Sequence, residues 1–71
     1  MVKIKELIDE IGLAAKAKGL LWVFIKEGGN HSLYKLDGLL IPIPRKNEIS
    51  NLKAEQIKKE CEPKLGRRWW R

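Results

Sequence analysis

Between Lys3 and Lys18 the apolar residues Ile4, Leu7, Ile8, Ile11, Ala14 and Ala15 recur at steps of three and four, the spacing that gathers side chains on one stripe of a helix. Lys5, Glu6, Asp9 and Glu10 fall on the opposite side, so the pattern predicts a helix lying on a packed layer. Gly12 interrupts it at a cost of about 1 kcal/mol relative to alanine. It either thins the helix for a close contact or marks an early break. Gly19 is a natural left-handed terminator, and Lys16 and Lys18 suit the negative end of the helix dipole.

Leu20 to Lys26 is a nearly unbroken run of branched and aromatic residues whose length fits a strand. Alternation puts Leu21, Val23 and Ile25 on one face and Trp22 and Phe24 on the other. A small sheet with helices on one side needs one deeply apolar face, so the two aromatics are expected to be covered by the chain's own end, buried against a partner, or presented to bases. Burial comes first, because large aromatic side chains fill interfaces more often than they stack on nucleotides. Gly28-Gly29-Asn30 then supplies a tight reversal, and His31 to Leu36 alternates as a second strand, His31, Leu33 and Lys35 facing one way and Ser32, Tyr34 and Leu36 the other. Asp37-Gly38 is a two-residue hairpin signal leading into a third strand, Leu39 to Ile43. Pro42 cannot donate to a ladder, so that strand is expected to lie at an edge or to be ending there, and Pro44 stops it.

After the polar loop Arg45 to Glu48, Ser50 is a good N-cap for a second helix, with Ile49 and Ala54 spaced as a hydrophobic staple. Ala54, Ile57 and Cys61 form its buried stripe, and Pro63 is expected to end it. The domain is therefore drawn at residues 1–63, with residues 64–71 as a basic, tryptophan-rich tail. That tail suits a nucleic-acid backbone with base stacking, and suits equally a fold-back in which Trp69 or Trp70 covers Trp22 and Phe24. Fold-back is the first expectation, since two adjacent tryptophans are costly to leave in water.

Composition sharpens this outline. A chain of 71 residues makes one domain with a small core. Fifteen basic against nine acidic residues give a net charge of +6, and Lys64, Arg67, Arg68 and Arg71 face no acid within residues 64–71. Such an excess favours a polyanion or an acidic protein as partner. One cysteine and one histidine far apart give no disulfide and no metal-ligand spacing, so no cofactor is expected, and Cys61 reads as a small core residue. The apolar runs are short and broken, which predicts neither a membrane span nor a signal peptide and makes a cytoplasmic address the default.

His31 carries the candidate chemistry. Imidazole both accepts and gives a proton near neutrality, and in a meander the start of the second strand and the end of the third share one end of the sheet. Arg45 and Lys46 can then stand beside His31; otherwise a histidine in a polar turn is simply solvated. RNA carries its own nucleophile, so an enzyme without a metal need only take the 2′-hydroxyl proton, steady charge on phosphorus and protonate the departing 5′ oxygen. His31 suits the first task, Arg45 and Lys46 the second, and Lys46, Tyr34 or water the third.

Helix, three-stranded meander and helix, in that order, make an α+β domain with a three-stranded antiparallel sheet and two helices on one face, the arrangement of a small double-stranded-RNA-binding-like domain. Gly28-Gly29-Asn30-His31 with Leu33-Tyr34, the spacer to Ile41-Pro42-Ile43-Pro44-Arg45, and Asn47-Glu48-Ile49 entering a helix together resemble the HicA-type toxins, the RNA-cleaving halves of bacterial type II toxin–antitoxin pairs. The likeness spans about Lys3 to Glu62. It implies a metal-independent endoribonuclease acting on messenger RNA, with His31 as its required histidine, and a HicB-type antitoxin that covers the basic face in a hetero-oligomer. Asn30, Ser32, Lys35, Arg45 and Lys46 are the expected RNA-binding residues. Many members also carry a histidine after the Pro-Arg pair, where this chain has Lys46. The contrasting expectation is a module of the same fold that grips RNA with Lys16, Lys18, Lys35 and the tail and cleaves nothing.

Overall fold

The computed structural model describes all 71 residues, Met1 to Arg71. A short strand β1 (Val2–Lys3) leads directly into helix α1 (Ile4–Ala17), and a three-stranded meander follows, β2 (Trp22–Gly28), β3 (His31–Leu36) and β4 (Leu39–Pro44). A second short strand, β5 (Glu48–Ile49), precedes helices α2 (Asn51–Glu60) and α3 (Glu62–Leu65). The protein is thus a small α+β domain with an antiparallel sheet ordered β2-β3-β4, while β1 and β5 form a separate antiparallel pair. No helix is long and apolar enough to cross a membrane.

One core joins the layers. Leu7, Ile11 and Ala15 from α1 and Ala54, Ile57 and Cys61 from α2 are buried with Leu36, Ile41 and Ile43 of the sheet, so both helices cover the same face. Ser50 caps α2 as its sequence position suggests, its hydroxyl accepting from the Lys53 N–H at 3.1 Å. Asp37 and Gly38 both take positive φ (51° and 88°), the geometry a two-residue hairpin needs. Arg45 N–H donates to the Asn30 carbonyl at 3.0 Å, so the alternation of an antiparallel ladder turns the nitrogens of Pro44 and Pro42 away from β3, toward the outer edge.

Four features differ from the sequence expectation. Trp22 and Phe24 belong to the helix-covered face, because Trp22 pairs with the buried Leu36 and Phe24 with Tyr34, itself opposite the buried Ile41. The run from Leu20 is apolar at both parities, so period two gave no contrast, and tertiary packing decides the matter. The Trp22 indole lies over α1, where a Cβ on Gly12 would come within 3.1 Å of its Cδ1. Gly12 therefore serves close approach, and Leu21, Ile25 and Leu40 are left exposed.

The register also shifts between Phe24 and Lys26, a bulge at Ile25. Pro63 does not stop the second helix. α2 already ends at Glu60, and Pro63 sits in the first turn of α3, where a missing N–H is harmless. Finally, the terminal segment folds back on α2 rather than over Trp22 and Phe24. Leu65 lies in the core, and the Trp69 indole packs against it and donates to the Lys58 carbonyl at 2.8 Å. Trp70 meets Trp69 edge to face at 5.8 Å. The boundary drawn after residue 63 cuts through this packed structure.

Burial, and secondarily the charge of Glu60, pushes the Cys61 thiol up to about 12. Ionisation is thus resisted in the folded chain above the ordinary value of 9.0, so stability is intact below pH 9 and declines as pH climbs from 9 toward 12. Thermal melts across that range check this, and Cys61→Ala should flatten the decline. Leu7→Ala should cost about 2–5 kcal/mol in denaturant titration, whereas Leu40→Ala on the open face should stay within about 0.5 kcal/mol of the parent.

Candidate active site

The β2–β3 turn sets the position of His31. Gly28 and His31 form its closing pair, and of the two central residues only Gly29 takes positive φ (60°), so Asn30 is spared the left-handed conformation its type would tolerate. His31 also pairs with the buried Pro44, which brings the residues after β4 alongside the turn.

His31 is exposed at the wall of a concavity of about 690 Å³, whose lining includes Asn30, Arg45, Lys46, Ser50 and Lys53. Four of the expected site residues, Asn30, His31, Arg45 and Lys46, are thereby brought together. Lys53, from the capped first turn of α2, is an addition. Its signal was available in the sequence: Ser50 fixes the start of α2, and Lys53 is the residue whose N–H that cap binds.

Two expected residues lie elsewhere. Ser32 is on the opposite face of β3 from His31, its hydroxyl donating to the Glu27 carboxylate at 3.2 and 3.3 Å. Lys35 is exposed farther along β3, opposite Leu40 and outside the concavity. Tyr34 is likewise outside, on the helix-covered face, so it does not serve His31 as a proton donor. Burial, then the charge of Glu27, raises its phenol above the usual 10.0 and keeps it protonated.

Charge in the concavity is strongly cationic, with Arg45, Lys46 and Lys53 against Glu48 alone. Arg45 is not a loose cation. Its Nε lies 2.7 Å from Glu27 Oε2 and its Nη1 donates to the Gly29 carbonyl at 3.0 Å. Glu27, overlooked in the sequence although it flanks the glycine pair, aims the guanidinium and offsets part of its charge. The terminal cations are also partly engaged, Lys64 with Asp37 at 3.5 Å and Arg71 with Glu55 at 3.8 Å. No three His, Cys, Asp or Glu side chains gather as metal ligands.

Chemically, the arrangement offers an imidazole beside ammonium and guanidinium groups, suited to a phosphodiester whose charge grows during reaction. No protein-family model, curated protein or solved structure matches the chain.

Glu27→Gln should release Arg45 toward an anionic ligand. For a single-stranded oligonucleotide the log–log salt dependence of binding should steepen by about 0.7, the contribution of one added phosphate contact. A slope equal to that of the parent protein would mean that Glu27 does not restrain Arg45.

Proposed function

We propose that the protein is a metal-independent endoribonuclease of the HicA toxin type, with a double-stranded-RNA-binding-like fold, acting on messenger RNA in the cytoplasm and silenced by a HicB-type antitoxin. The observation that carries this reading is the sharing of one concavity by His31, Arg45, Lys46 and Lys53. The resemblance of residues 28–49 to the toxin motifs supports it independently, and the partner and messenger substrate rest on that resemblance alone.

In this scheme neutral His31 takes the proton of a ribose 2′-hydroxyl. The freed oxygen attacks the adjacent phosphorus, the bond from phosphorus to the 5′ oxygen breaks, and a cyclic 2′,3′-phosphate and a 5′-hydroxyl result. Lys46, Lys53 and the outer nitrogen of Arg45 meet the charge that builds on the phosphoryl oxygens. The departing 5′ oxygen takes its proton from a lysine ammonium of the concavity or from water, and the imidazolium returns its proton to solvent. Because the nucleophile belongs to the substrate, Lys46 in the place of a second histidine leaves the first two tasks intact.

A non-cleaving RNA-binding module is the second reading, favoured by the pairing of Arg45 with Glu27, which lowers the positive charge left for catalysis. Incubation of RNA with the purified protein in chelator separates the two. His31→Ala should lower the cleavage rate about a hundredfold or more while RNA affinity stays within about threefold. Intact RNA in the presence of the folded parent protein would leave the binding module standing.

A further inference from the structure

A second hollow of about 400 Å³ adjoins the first, and Lys46 lines both. Its other walls include Lys5, Ile8, Asp9, Tyr34 and Asn47. We infer that this hollow is a nucleobase subsite selective for guanine, occupied by a nucleotide next to the one held at His31. The inference rests on the ribonuclease reading and adds to it the identity of a neighbouring base.

Three observations carry it. First, Tyr34 is a prearranged apolar wall: its ring stacks on Trp22 with centroids 4.7 Å apart and an interplanar angle of 15°, and the Phe24 ring meets it at 5.5 Å and 70°. A base entering the hollow contacts an aromatic group already fixed in place, so little rotamer freedom is lost on binding. Second, Lys46 stands between the two hollows, and Lys5 adds a further cation to the second, so a chain of phosphates can run from one to the other along positive charge.

Third, the polar groups of the hollow discriminate. Asp9 is exposed and joins none of the protein's ion pairs or side-chain hydrogen bonds. An ionised carboxylate only accepts, through two oxygens side by side. Guanine presents N1–H and N2–H₂ as adjacent donors matching that pair, whereas uracil offers one N–H flanked by two carbonyl oxygens that a carboxylate repels. Asn47 supplies a donor and an acceptor for the rest of the base edge. It is held at the hollow's rim because its carbonyl accepts from the Ile4 N–H at 2.9 Å.

The test uses the full-length His31→Ala protein, which binds without turnover, titrated with guanosine 3′-monophosphate or uridine 3′-monophosphate and followed by amide NMR. The guanine nucleotide should shift the signals of Asp9 and Asn47 saturably and bind about tenfold tighter than the uracil nucleotide, the discrimination of one bidentate contact. Asp9→Asn should bring the two affinities together while its amide spectrum remains that of the folded protein. Equal affinities before that substitution, a preference that survives it, or shifts confined to the His31 concavity would each overturn the subsite. Because the readout is binding alone, a parent protein that fails to cleave RNA but retains this preference overturns the nuclease reading and supports the subsite. One that cleaves without preferring guanine beside the scissile bond supports the nuclease and overturns the subsite.

Discussion

The register of β3 between its two neighbours governs everything else in the molecule. Gly28, His31 and Pro44 form the terminal row of the sheet, and Trp22, Leu36 and Leu39 form the row at the other end. Each end is set by its own two-residue turn, Gly29-Asn30 at one, with Gly29 alone in the left-handed region, and Asp37-Gly38 at the other, with both residues there. A slip by one residue would send Tyr34 and Leu36 to the open face and turn Ser32 toward the concavity instead of His31. Core and candidate chemistry are thus fixed by the same pairing, with burial of Leu36, Ile41 and Ile43 enforcing the position of an exposed imidazole.

Around that imidazole the charges divide into a braced group and a mobile one. Glu27 accepts from Ser32 and pairs with Arg45, and Arg45 in turn reaches the Gly29 carbonyl, so β2, β3 and the segment after β4 meet in one small network. Exposed ion pairs of this kind contribute about 0–1 kcal/mol to stability, so the network matters more for direction than for strength. Lys46 and Lys53 have no such partner among the protein's ion pairs and remain long, flexible cations. One oriented guanidinium and two adaptable ammonium groups suit a ligand whose charge moves during its transformation.

Much of this was legible in the residues themselves. The three-and-four spacing from Ile4, the Asp-Gly turn, the Ser50 cap and the single histidine after two glycines each state a local preference that the tertiary structure keeps. What was not legible lies where local signals are degenerate. In the run from Leu20 to Ile25 every side chain is apolar, and Trp22 faces the layer where Gly12 leaves space for its indole. The pair β1–β5 spans two residues on each strand and is too short to leave a period. Glu27 joins the candidate site through three-dimensional neighbours, for which no spacing rule exists. The terminal tryptophans proved to belong to α2 because a carbonyl of its last turn, that of Lys58, accepts the indole N–H.

The two prolines of β4 have a consequence for how the molecule lives in a crowded solution. With nitrogens directed away from β3, Pro42 and Pro44 remove donors from the rim where another extended segment would dock. Stacking of sheets into fibrils requires both rims of each unit to template the next, and here one of them lacks the donors of positions 42 and 44. In a protein with leucine and isoleucine exposed on its open face, the two missing donors weaken that rim as a template for a further strand.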